Sequence, residues 1–224
     1  MTLLWAIVII YVLSSLISGG LYQPDLRTLV LLGAKVNDLI AAGAYWRLLS
    51  ATFLHANLVH IFFNGYALYA LGPEAERIYG SRRFLALYLL SGLAGSIASY
   101  VLSPAVSVGA SGAIFGLIGG LGSFYVLNRE ALGASGKAQV QNMVAIAMIN
   151  LFIGFGSAGT IDNWAHLGGL VGGALAGLAL APRVQLDDRF SPPVLRGSYP
   201  ELGWAGAAAL LLGIMALALL LPPA

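Results

Sequence analysis

The sequence predicts an all-α polytopic membrane protein, a six-helix bundle followed by a C-terminal seventh transmembrane helix. Three observations carry this. Charged residues make up 9% of the 224, where a soluble globular domain holds about 25%. Apolar residues reach 59% and the mean hydropathy is +0.87, more apolar surface than a soluble domain of this length hides. These residues gather in seven runs, each close to the roughly 20 that a bilayer core needs. The same arithmetic excludes a nucleic-acid module: eleven Lys and Arg against nine Asp and Glu leave +2 and form no basic stripe. Cysteine is absent, which removes disulfides, thiolate catalysis and cysteine metal sites.

The runs lie at about 3–18, 57–72, 83–101, 111–127, 141–157, 164–181 and 204–221. Small residues follow the first run, as after a signal peptide, but no Lys or Arg precedes it; a retained helix is the expectation. Segment 19–56 is long and apolar for a connector. Leu29 to Leu32 and Leu39 to Ala44 predict short interfacial helices, with Tyr45 and Trp46 as aromatic anchors. Residues 182–203 have the Pro, Asp, Arg and Ser content of a linker. The division is therefore a 1–181 core, a cytoplasmic linker at 182–203 and a seventh helix in 204–224. No internal repeat is visible, which argues against a transporter built on inverted halves. Arg77, Arg82, Arg83, Arg129, Lys137, Arg183, Arg189 and Arg196 fall on one side, and only Arg27, Lys35 and Arg47 on the other. The imbalance puts the N-terminus in the cytoplasm and, with seven crossings, the C-terminus outside.

Polar groups inside spans are costly and mark candidate sites. His55, His60 and His166 all lie before or at the outer start of a span, and Ser111 opens the fourth at the same depth. His60 and Asn64 are one turn apart on one face; an amide and an imidazole bonding their own backbone or each other is the bland explanation. Ser111 has its own bland explanation as a helix N-cap. Glycine shifts the balance. Gly112, Gly116 and Gly120 recur every four residues in the fourth span, as do Gly169, Gly173 and Gly177 in the sixth, with Gly168 and Gly172 on an adjacent stripe. Such stripes let helices pack backbone to backbone. If these two face each other, Ser111 and His166 meet at their outer ends, the minimum for an activated serine. First-turn amides lack intrahelical acceptors, so the Ser111 N–H, with side-chain donors on His60 and Asn64, can serve an oxyanion. Asp162 is the nearest acidic residue to His166; a Ser–His dyad is expected over a triad.

These residues resemble the rhomboid intramembrane serine proteases. Gly109-Ala110-Ser111-Gly112 is similar to the family's GxSG motif, and His55, His60 and Asn64 to its second-span histidine–asparagine pattern. Ala165-His166-Leu167-Gly168-Gly169 with Gly173 resembles the sixth-span motif, and Trp46-Arg47 the first-loop pair. All four stand in family order between residues 46 and 173. The resemblance implies a six-helix rhomboid-like bundle with an outward water-filled cavity, Ser111 as nucleophile, His166 as general base and acid, and His60, Asn64 and the Ser111 amide stabilising the oxyanion. It further implies that the fifth helix and its loop control substrate access. Transmembrane protein substrates and the bilayer are the expected partners, with no nucleic acid, cofactor or metal; oligomeric state is open. Two departures stand out. Ala44 replaces the usual acidic residue, leaving Arg47 in need of another partner. Phe115 replaces the tyrosine that stacks on the catalytic histidine, keeping the ring without its hydroxyl. The rival readings are a rhomboid-like binding protein that does not cut, and a metal transporter using the three histidines. The second lacks carboxylates in any span.

Overall fold

The computed structural model describes residues 1–20, 22–157, 161–187, 189–190 and 194–224. Helices dominate: α1 Thr2–Ile17, α2 Leu26–Leu32, α3 Asn37–Ala41, α4 Arg47–Ser50 running into a 3-10 turn at Ala51–Phe53, α5 Leu58–Tyr79, α6 Ser81–Leu102, α7 Ser111–Leu127, α8 Arg129–Gly156, α9 Asn163–Leu180 and α10 Gly203–Leu220. A two-stranded antiparallel sheet, β1 Arg183–Asp187 and β2 Val194–Ser198, sits between α9 and α10. Side chains set several starts. Asp25 accepts from the Thr28 amide at 2.6 Å, Asn57 from the His60 amide at 2.8 Å, and Asp162 from the Ala165 amide at 3.0 Å, each relieving an orphan first-turn donor.

At the centre α6, α7 and α9 pack against one another, and α7 is buried over almost its whole length. Trp5, Ile9, Phe62, Phe63, Phe152 and Leu212 instead point outward from the flanking helices. Such a broad apolar exterior is the signature of a lipid-facing surface. Among the described residues, α6, α8 and α10 are long and apolar enough to cross a membrane, and α1 and α7 are shorter apolar helices. In α5 and α9, His60, Asn64, Asn163, His166 and repeated glycine dilute the hydropathy. Those polar groups are affordable only because the bundle encloses them.

Three elements depart from expectation. α5 runs past Pro73 to Tyr79, because its last turns are tied to α7: the Tyr79 hydroxyl donates to the Gly120 carbonyl at 2.7 Å, and the Tyr125 hydroxyl donates to Glu74. The stretch 128–140, expected as a loop, is helical from Arg129 and breaks only at Gly133, whose φ of 58° an L side chain resists. The expected linker at 182–203 carries the hairpin, with Arg183 opposite Ser198 and Asp187 opposite Val194, so the architecture is helical with one small sheet. Residues 188 and 191–193 of that stretch, and 158–160 of the loop expected to control access, lie outside the described residues. α10 docks rather than standing apart. A Cβ on Gly203 would meet the Ala179 carbonyl at 2.7 Å, and Ile214 and Ala218 share a cluster with Ile40, Leu48, Ile97 and Tyr100.

Candidate active site

The first loop holds the turn that leads into α7. The Lys35 ammonium donates to the carbonyls of Ser103 at 2.7 Å and Ala105 at 2.9 Å, and Lys35 and Ser107 exchange backbone hydrogen bonds. Further along, the Gly109 amide donates to the Ala51 carbonyl at 2.9 Å, and the Ala110 amide approaches His55 Nε2 at 3.5 Å. Burial, with the His60 ring beside it, pushes His55 down to about 3. The ring is therefore neutral at working pH and able to accept from that amide. Gly109 has φ 132°, and a Cβ there would lie 2.6 Å from His60 Nε2 and 3.8 Å from Ser111 Oγ. The His60 edge and the Ser111 hydroxyl thus both lie near the space a side chain at 109 would fill, so the residue has to be glycine.

Ser111 is the first helical residue of α7. The N-cap is Ala110, and no side chain caps the helix. The hydroxyl is therefore not spent on capping. By helix geometry the amides of Ser111, Gly112 and Ala113 have no intrahelical acceptor, so hydroxyl and free donors share one turn.

His166 lies one turn into α9, buried, its ring stacked on Phe115 at 4.2 Å and 15°. The phenylalanine that departs from the family pattern therefore still supplies the ring contact. Immediately beneath, the helices touch through their backbones. A Cβ on Gly169 would stand 2.0 Å from the Gly112 carbonyl oxygen, and one on Gly173 2.1 Å from that of Gly116. A Cβ on Gly112 would lie 3.2 Å from the Ala165 carbonyl oxygen. The two glycine stripes face each other, and their N-terminal ends bring the first turns of α7 and α9 side by side. Asp162 turns elsewhere: one carboxylate oxygen caps the Ala165 amide and the other accepts from the Ser99 hydroxyl. His166 Nδ1 has no hydrogen-bond partner among the described residues.

Asn64 donates to the His60 carbonyl at 3.0 Å, the local bond that the spacing alone allows. Its amide retains a second N–H. His60 receives the Ala56 amide on Nδ1 at 3.4 Å and packs edge-on to His55 at 5.0 Å.

Three contributions escape a reading by residue type. Lys35 looks like an ordinary loop charge. Arg47 finds its partners in the Val30 and Ala34 carbonyls, at 2.6 and 3.1 Å, with its guanidinium over the Trp46 ring. α6 also joins the seam: a Cβ on Gly116 would strike the Ser91 Cβ at 1.9 Å, and one on Gly168 the Ala98 Cβ at 2.4 Å. The signal for α6 was present in Ser91, Gly95 and Ser99, spaced by four.

A family profile described as the Rhomboid domain matches residues 42–183, more than half of the chain. The chain belongs to the rhomboid family. Over 165 residues it is 48% identical to the rhomboid protease GluP of Bacillus subtilis (strain 168), covering 73% of this chain and 31% of that protein. It is 36% identical over 179 residues to RHOMBOID-like protein 5 of Arabidopsis thaliana, covering 77% of this chain and 57% of the relative. With Rhomboid-like protease 3 of Toxoplasma gondii the identity is 35% over 175 residues, covering 77% and 64%. The chain thus spans less than two thirds of each of these relatives. The matched rhomboid stretch takes in every motif residue described above, while Lys35 lies seven positions before its start.

Proposed function

We propose that this rhomboid is an intramembrane serine endopeptidase that cuts transmembrane segments of other membrane proteins. The observation that carries the reading is the junction of α7 and α9: an uncapped Ser111 on the first turn of one helix, and a Phe115-stacked His166 on the adjoining turn of the other. The likeness to GluP, a rhomboid protease by name, supports it. Ser111 attacks the scissile carbonyl while His166 takes its proton, giving an acyl-enzyme and returning that proton to the leaving amine. His166 then activates the water that releases the product. The Ser111 amide, His60 and Asn64 hold the oxyanion. With Asp162 engaged by Ala165 and Ser99, the machinery is a dyad. Gly112, Gly116, Gly169 and Gly173 set its spacing. No cofactor takes part. A substrate helix hides its carbonyls in hydrogen bonds, so weak helix formers near the cut favour cleavage.

In this reading the core is residues 1–181, with α1 and α5 to α9 as its six membrane helices, the 182–203 segment cytoplasmic and α10 the seventh crossing. The active site faces away from the cytoplasm. A reporter fused after Ala224 is then expected outside the cytoplasm, and one inserted near Asp187 inside, from the eight-to-three distribution of Lys and Arg. A cytoplasmic signal from the Ala224 fusion would mean that α10 does not cross.

The deciding experiment is labelling of the purified protein with a serine-directed fluorophosphonate. Covalent modification of the wild type, absent in Ser111→Ala, is the expected result. An unlabelled wild type would favour a binding protein that does not cut.

A further inference from the structure

Lys35 is 0% exposed, an expensive place for an ammonium unless its protons find acceptors. They do so at one end of α6, where Ser103 is the C-cap. The Ser103 carbonyl receives both the Lys35 ammonium and the Asn37 amide, at 2.7 and 3.1 Å, and the Ala105 carbonyl receives the ammonium at 2.9 Å. A cation at a helix C-terminus is favoured by the aligned peptide dipoles. The same residue's backbone bridges Ser107 in both directions. A single first-loop residue thus grips the turn at 103, 105 and 107, and Ser111 follows four positions later.

We propose that Lys35 is a positioning residue for the proteolytic centre: its ammonium pins the 103–107 turn and thereby sets where the Ser111 hydroxyl and amide stand relative to His166 and His60. The proposal rests on the reading of Ser111 as the nucleophile. Gly109 and Ala110 keep their own tethers to Ala51 and His55, so losing the ammonium displaces the turn without freeing it. Misplacement of a reacting group by about 1 Å costs on the order of 10²-fold in rate. Substrate binding, made along the length of a helix, is left alone.

The test uses the full chain in proteoliposomes and compares wild type with Lys35→Met, which fills similar volume without a charge. Two quantities are followed: the rate of Ser111 labelling by a fluorophosphonate, and kcat and KM on a fluorogenic transmembrane substrate. Wild-type labelling that is lost in Ser111→Ala establishes the nucleophile independently; without it the underlying reading fails. Given it, a folded Lys35→Met protein is expected to label and turn over roughly 10- to 100-fold more slowly, with KM unchanged. Labelling within twofold of wild type, or a raised KM at constant kcat, overturns the proposal.

Should Lys35→Met not fold, the wild type alone decides through pH. Burial pushes the Lys35 ammonium down to about 8, against the pull of Asp162 at the start of α9. The turn itself carries no charged side chain; beside it the Asn37 amide donates to the Tyr100 backbone carbonyl at 3.2 Å and to the terminal Ala224 oxygen at 3.1 Å. Above pH 8 the folded protein holds fewer protons at Lys35 than the unfolded chain, so this group's contribution to stability rises with pH up to about 10. The charge-assisted grip on the turn weakens over the same range. Labelling that falls above pH 8 while the melting temperature holds or rises supports a positioning role. A flat labelling rate, or rate and melting temperature falling together, overturns it.

Discussion

Ser111→Ala is expected to bring cleavage of a fluorogenic transmembrane substrate below detection while leaving the melting temperature near that of wild type. The hydroxyl makes no capping bond, so its loss removes the nucleophile and little else. His166→Ala should be nearly as inactive, since it removes the one base of the dyad, and should also lose the stacking on Phe115. His60→Ala and Asn64→Ala each delete one oxyanion donor while the Ser111 amide stays, a loss of about 10²–10³ in rate. Both should remain measurable in a sensitive assay. His55→Ala is expected to be the mildest of the five. It deletes an acceptor for the Ala110 amide and the ring beside His60, but the Gly109 tether to Ala51 persists. Residual cleavage by Ser111→Ala would end the protease reading, and a folded Asn64→Ala protein as inactive as Ser111→Ala would refute its role as one donor among several.

Gly169→Leu should abolish activity by a different route. The first added carbon already falls 2.0 Å from the Gly112 carbonyl oxygen, and backbone cannot rotate away as a side chain can. α9 must therefore separate from α7, carrying His166 off Ser111. Gly116→Leu meets the Ser91 side chain and then the Gly169 carbonyl oxygen, at 1.9 and 3.0 Å, so it pries α7 from both neighbours. Overpacking a core costs about 1–3 kcal/mol when side chains can yield; here the destabilisation should reach or pass the upper end. Thermal melts and the fluorophosphonate rate check both consequences. Full activity in either variant would show that the seam does not set the catalytic spacing.

Much of this arrangement could be read from residue types. The bounds expected for the fourth, sixth and seventh runs match α7, α9 and α10 to within a residue, because membrane helices end where apolar sequence ends. α5 overran its apolar run because the Tyr79 hydroxyl bond to α7 and the Tyr125 hydroxyl bond from it, which hydropathy does not register, hold its last turns; α8 begins early, at Arg129, on residues too polar for an apolar run to include. The hairpin escaped although its alternation was present: Val184 and Leu186 stand between Arg183, Gln185 and Asp187, but polar composition outweighed five residues of period two. In the site, Ser111, His60 and His166 were visible as polar groups at one depth. Lys35 was not, because a lysine in a loop reads as solvated, and only the fold shows carbonyls waiting for it. The α6 face was missed because serine and alanine stand there in place of glycine, which hides the repeat.

The seam between α7 and α9 also shapes how the protein can change over generations. Where side chains interlock, a loss in one partner can be repaired by growth in the other. Here the opposing surfaces are peptide carbonyls and α-carbons, which no codon alters, so the facing glycines have no compensating mutation to wait for. Heritable variety must accumulate elsewhere, on the exposed faces of α8 and α10, where one apolar side chain substitutes freely for another. A lineage built on this chain can diversify its exposed apolar surface while the spacing of Ser111 and His166 stays frozen by atoms outside the reach of mutation.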